Sequence, residues 1–103
     1  MIMMRKDLLL ITGENKISII NVNNYKLRII NVPGASYIFG VCILNQNMLL
    51  TGDKIIRQWR IEDDNLILIS KKEKAHDDFI TDLLNLGNGN IASCSFDKTI
   101  KIW

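Results

Sequence analysis

A chain of 103 residues holds one domain and is too short for two. Its 48% hydrophobic and 23% charged residues are an ordinary globular balance, which excludes a disordered segment. The formal charge of +2 is spread over scattered Lys and Arg without a basic stripe or interleaved aromatics, so no nucleic-acid surface is expected, and no apolar run approaches the ~18–20 residues of a membrane span.

The apolar residues are mostly Ile and Leu, with little Ala, in short runs between Asn, Gly and Asp clusters. That pattern favours strands over helices and predicts an all-β chain. Met1, Met3 and Met4 open it as an N-terminal edge rather than a lipid-binding patch, and the segment is too short and too charged for a signal peptide. The first strand–turn–strand unit runs from Leu10 to Ile20 through the polar turn Gly13-Glu14-Asn15. An Asn-rich turn then leads to an outer strand over residues 25–32, and Pro33 falls in the following loop, where its missing N–H costs nothing.

An innermost strand is predicted over residues 37–44, closed by Asn45-Gln46-Asn47. The second strand–turn–strand unit, Leu49 to Trp59, turns at Gly52-Asp53-Lys54, and an outer strand follows over 66–70 after the acidic turn Glu62-Asp63-Asp64. Lys71-Lys72-Glu73-Lys74 reads as a solvated strand end. A further innermost strand over 79–86 closes at Gly87-Asn88-Gly89-Asn90, where Asn and Gly tolerate the positive φ of hairpin turns. The third unit, Ile91 to Trp103, turns around Asp97.

The three units end at Ile20, Trp59 and Trp103, spaced 39 and 44 residues apart. That spacing matches one four-stranded propeller blade of roughly 40–45 residues. About ten strands are therefore expected in two and a half blades, a partial propeller of four-stranded antiparallel meander sheets. Residues 1–32 would form an incomplete first blade of three strands, 33–70 the second, and 71–103 a third lacking its outer strand.

The stretch from Ala75-His76 through Ser93 and Asp97 to Trp103 resembles the WD-repeat family. The family pattern is Gly-His, a hydrophobic strand, a turn, a small-residue strand with Ser or Thr, an Asp turn, and a strand ending Trp-Asp. Here Ala75 replaces the glycine, and the chain ends before the aspartate. The resemblance implies a buried hydrogen-bond relay in which the Trp103 indole donates to Ser93, Ser93 to His76, and His76 to Asp97. The residue types suit it: Trp only donates, Ser does both, neutral His has one donor and one acceptor, and ionised Asp only accepts. Such a set superficially matches a nucleophilic triad, but Ser93 lies between apolar neighbours in mid-strand without an oxyanion hole, so no catalytic residue is expected.

In the second unit Thr51, Asp53 and Trp59 take the positions of Ser93, Asp97 and Trp103 as a degenerate relay. The counterpart of His76 falls near Pro33. In the first, Ile20 replaces the Trp and Glu14 the Asp. The acidic pairs Glu62-Asp63-Asp64 and Asp77-Asp78 lie in separate turns without the alternating ligands of a calcium loop, so neither a metal nor a cofactor is expected.

The family likeness implies a non-catalytic scaffold for protein–protein contacts, with Phe79 and Phe96 as candidate contacts and other proteins as partners. Cys42 and Cys94 lack CxxC spacing and fit free thiols in a cytoplasmic or other intracellular setting. Two and a half blades leave broad apolar faces. A fragment of a longer propeller is the expectation, ahead of closure with copies of itself or with another chain.

Overall fold

The computed structural model describes residues 2–5, through their backbone alone, and residues 7–103. Eleven strands form among them: β1 (Ile2–Arg5), β2 (Leu8–Thr12), β3 (Lys16–Asn21), β4 (Lys26–Asn31), β5 (Gly40–Asn45), β6 (Met48–Gly52), β7 (Ile56–Glu62), β8 (Asn65–Lys72), β9 (Ile80–Asn85), β10 (Ile91–Ser95) and β11 (Ile100–Ile102). The chain is all-β, as its composition predicts. Each strand pairs antiparallel with its sequence neighbour, giving three meander sheets: β1-β2-β3-β4, β5-β6-β7-β8, and β9-β10-β11.

The first sheet corrects the expectation of an incomplete three-stranded blade, because β1 pairs with β2, placing Ile2 opposite Leu10 and Met3 opposite Leu9. Asp7 is the one turn-forming residue between residues 1–5 and the next apolar run, a shorter signal than the Asn, Gly and Asp clusters that mark the other turns. Met3 and Met4 lie in β1; Met1 is outside the described residues.

Turn chemistry sets the register elsewhere. Asp63 and Asp64 close a two-residue hairpin between Glu62 and Asn65 with φ of 50° and 60°, the left-handed pair that a tight hairpin requires and that Asp tolerates. Gly87 and Gly89, at φ 86° and 87°, turn the chain between β9 and β10.

The innermost strand expected over 37–44 begins only at Gly40. The backbone just before it is committed elsewhere: Ile38 N–H donates to Gly13 O, and Tyr37 bridges to Glu14 of the first sheet. Ile80 N–H makes the equivalent bond to Asp53 O, so each sheet's turn is tied to the first residues of the next innermost strand.

The sheets stack face to face, and their strands are apolar on both sides. Alternation along β2 and β3 turns Leu8, Leu10, Ile17 and Ile19 onto the second sheet, where they meet Leu49, Trp59, Ile61 and Leu66 in one buried cluster. The opposite face of the second sheet carries Cys42, Leu50 and Ile56 into a smaller cluster with Ala75, Ile80 and Leu83. Gly40 and Gly52 permit this second approach, since a Cβ at Gly52 would stand 3.0 Å from Ile80 Cγ2. Each fully buried Leu or Ile contributes about 1.5–3 kcal/mol, so the first interface is the stronger.

Candidate functional site

The most developed polar cluster is in the third sheet. The loop after β8 delivers Ala75 and His76, both buried, beneath β10 and the residues after it. The His76 N–H reaches back to Lys54 O at 3.4 Å, and the Lys101 ammonium donates to Ala75 O at 2.7 Å. Trp103 lies one residue beyond β11 but stays paired with Ile91 through two backbone hydrogen bonds of 2.8 and 3.1 Å.

These placements bring His76, Ser93, Asp97 and Trp103 together. Trp103 Nε1–H donates to Ser93 Oγ at 2.9 Å, and Ser93 Oγ stands 2.7 Å from His76 Nε2. His76 Nδ1 stands 2.9 Å from Asp97 Oδ2 and 3.0 Å from Thr99 Oγ1. One proton assignment satisfies every group. Ser93 accepts from the indole and donates to Nε2, the imidazole carries its proton on Nδ1, and Thr99 Oγ1–H donates to Asp97 Oδ1. Ser93 is 1% exposed, and both its lone-pair and proton roles are taken inside the cluster.

Thr99 was not singled out in the sequence, although a hydroxyl two residues after a turn aspartate is a recognisable pairing. Its hydroxyl is the main reason the Asp97 carboxyl is held well below the usual carboxylate range. Desolvation, the next-largest influence, opposes it, and the His76 side chain and the Asp77 and Thr99 amides lower it further. A carboxyl depressed in the folded state stabilises above its unfolded pKa of ~4 and loses that contribution as pH falls toward the folded value. The unfolding midpoint is therefore expected to drop below pH ~4, with a shallower drop in Asp97→Asn. Identical pH profiles for the two proteins would contradict this.

In the second sheet Trp59 Nε1–H donates to Thr51 Oγ1 at 2.9 Å, repeating the indole–hydroxyl link. Asp53 takes another partner: Oδ1 accepts from Arg57 Nη1 at 2.8 Å, in an ion pair with side chains 2% and 4% exposed. Oδ2 accepts from the Ser36 N–H at 2.9 Å, so the loop after exposed Pro33 meets Asp53 through Ser36. Arg57 was also overlooked in the sequence. It faces Thr51 across the strands, as Lys101 faces Ser93.

The first sheet departs further. Leu9 pairs with Ile20 where Leu49 pairs with Trp59, so the hairpin is one residue longer than the sequence alignment assumed. Ile11, not Thr12, stands at the Thr51 position, and Gly13 rather than Glu14 takes the place of Asp53. A one-residue slip moves each side chain to the other face. Ile11 and Ile20 therefore leave this sheet without the indole–hydroxyl link.

The candidate contact Phe79 is half-buried and belongs to an aromatic group. Its ring meets Tyr37 and Phe39 edge-on at 6.2 and 6.1 Å, those two stack at 5.9 Å, and Lys54 Nζ lies 5.5 Å over Phe79. Tyr37 is 47% and Phe39 53% exposed. Phe96, 62% exposed, adjoins them through its N–H bond to Phe79 O. The sequence places Tyr37 and Phe39 in an innermost strand over residues 37–44; in the structure both lie ahead of β5, on the surface. Among the described residues no helix is long and apolar enough to cross a membrane, and no group of three or more His, Cys, Asp or Glu is placed to hold a metal. Both cysteines are free thiols, Cys42 buried and Cys94 half-exposed.

A family model described as WD domain, G-beta repeat, matches residues 68–103. Compared by sequence, no curated protein matches the chain. Among solved structures the fold is similar to that of U3-55K, with a TM-score of 0.75 at 13% identity over 94% of this chain. The chain spans 30% of that protein's length. At this identity the likeness shows the fold.

Proposed function

We propose that this chain, whose residues 68–103 form a WD repeat, is a non-catalytic scaffold that holds partner proteins against the rim of rigid propeller sheets. The observation that carries the reading is the aromatic group of exposed Tyr37 and Phe39 with half-buried Phe79, which joins the second sheet to the third beside a polar network whose His76 and Ser93 are buried. Exposed aromatic rings on a rigid frame supply large contact area at small entropic cost, which is why they are enriched at interfaces. The His76–Ser93–Asp97 geometry serves stability in this reading, because a Ser hydroxyl 1% exposed and engaged on both sides offers no nucleophile. Complete propellers have four to eight blades, so the working unit contains more sheets than these three. Two free thiols fit a reducing, intracellular compartment.

The test uses photo-crosslinking from position 98, on the turn beside Phe96, in extracts of the source cells. Tyr37→Ser/Phe39→Ser is expected to lose the crosslinked proteins while tryptophan emission stays unchanged and the unfolding midpoint falls only by the loss of the ring contacts, about 0.5–1.5 kcal/mol each. Ser93 is expected to remain unlabelled by a fluorophosphonate probe. An unchanged crosslinking pattern in the double variant would defeat the aromatic surface, and a labelled Ser93 would defeat the non-catalytic reading.

A further inference from the structure

We infer that Asn88 is a self-modifying position, which closes onto the Gly89 nitrogen as a succinimide and opens to isoaspartate and aspartate. The inference rests on the turn between β9 and β10 and is independent of the scaffold role.

Five asparagines share one local geometry, in which the side-chain oxygen accepts from the backbone N–H two residues on. Asn21 accepts from Asn23 at 2.9 Å, Asn24 from Lys26 at 2.9 Å, and Asn45 from Asn47 at 2.8 Å. Asn85 accepts from Gly87 at 2.9 Å, and Asn88 from Asn90 at 3.2 Å. Each bond closes a ring that contains both the carboxamide carbon and the nitrogen of the next residue. It also aims a donor at the oxygen that gains charge when that nitrogen adds to that carbon, as an oxyanion-binding donor does.

The next residue separates the five. Val22, Tyr25, Gln46 and Leu86 follow the first four, and each places a side chain beside its own nitrogen. Gly89 follows Asn88 and has no side chain, with open space where a Cβ would stand. Among the described residues the Gly89 N–H takes part in no hydrogen bond, and residues 87–90 are all exposed, so solvent reaches both reacting atoms.

The chemistry needs only water. Hydroxide takes the Gly89 amide proton, the nitrogen bonds to Asn88 Cγ, and the bond from Cγ to Nδ2 breaks. Nδ2 takes a proton from water and leaves as ammonia. Water then opens the ring at either carbonyl. Breaking the bond from Gly89 N to Cγ gives aspartate; breaking the bond to the Asn88 backbone carbonyl carbon gives isoaspartate. The sum consumes water and releases ammonia, with no oxidant or reductant. Both products place a carboxylate on the turn. Isoaspartate also adds a methylene to the main chain, inside the loop that Leu86 N–H closes on Asn90 O at 3.0 Å.

The experiment incubates the purified chain in mildly alkaline buffer and follows each asparagine by peptide mass spectrometry, with isoaspartate detected by isoaspartyl methyltransferase labelling. Asn88 is expected to convert to both acids while Asn21, Asn24, Asn45 and Asn85 remain amides. Gly89→Ala is expected to lose the conversion over the same period. Because φ of 87° strains an alanine there, Gln46→Gly supplies the converse test. It is expected to create a second conversion at Asn45, whose neighbour then lacks a side chain too. An Asn88 that stays an amide, aspartate without isoaspartate, conversion that persists in Gly89→Ala, or an unchanged Asn45 in Gln46→Gly would each overturn the inference.

Discussion

Asp53→Ala is expected to destabilise the fold by about 3–5 kcal/mol, the cost of removing one partner from a buried ion pair. The Arg57 guanidinium is held at 2.8 Å from Asp53 with its side chain 4% exposed, so the variant strands a buried charge. Asp53 also accepts from the Ser36 and Ile55 amides at 2.9 and 3.2 Å, so two further donors lose their partner at about 1 kcal/mol each. The backbone bond from Ile80 N–H to Asp53 O survives the substitution, so the third sheet stays tethered while the junction around it loosens. A domain of this size has about 5–15 kcal/mol in total, so the variant is expected to be marginal at room temperature. Denaturant unfolding followed by Trp59 emission measures the loss. Replacing the pair together, as Asp53→Leu/Arg57→Met, is expected to recover most of it, because a hydrophobic pair often matches a buried ion pair in stability. A single variant within about 1 kcal/mol of the parent would show that the ion pair is not what holds this junction.

The sequence made the stacked sheets legible through turns. Asp63-Asp64, Asn45-Gln46-Asn47 and Gly87-Asn88-Gly89 punctuate the chain because such residues favour tight turns, and the strands between them follow. Where that signal shrinks to the single Asp7, the reading failed, and β1 went unseen. Register was less legible than element type. The first hairpin holds Ile and Leu on both faces, so alternation cannot tell one frame from the next, and the slip at Ile11 became visible only from the pairing of Leu9 with Ile20. The cluster around His76 was legible through the resemblance to the WD-repeat pattern, whose residue types suit one another as donors and acceptors. Arg57 and Thr99 were not, because each substitutes for or supports a member of the pattern without belonging to it. The exposure of Tyr37 and Phe39 depends on where β5 begins, and that is set by a backbone bond to Gly13, twenty-five residues before Ile38.

The third-sheet cluster yields an ordered set of expectations rather than one value. Ser93 is its hinge, because a single oxygen accepts from the Trp103 indole and donates to His76 Nε2. Ser93→Ala removes both bonds at once. The buried imidazole nitrogen then has no partner, at about 1–3 kcal/mol, while the half-buried indole N–H loses about 1 kcal/mol because water reaches it. The expected total is about 2–4 kcal/mol. Trp103→Phe removes only the donor at the end of the chain, leaves Ser93 bonded to His76, and is expected to cost less through hydrogen bonding. Lost contact with Ile91 and with Lys72, whose ammonium lies 4.5 Å over the indole ring, adds to that smaller figure. Ser93→Thr tests the hydroxyl itself. Thr51 already fills the equivalent place beneath Trp59, so the extra methyl has a precedent in the same chain and the variant is expected within about 1 kcal/mol of the parent. Denaturation midpoints at constant slope rank the three. The physical claim is that the hydroxyl, and not the volume of the residue, is what the site requires. Ser93→Thr costing more than Ser93→Ala would reverse it, since packing would then outweigh the two hydrogen bonds.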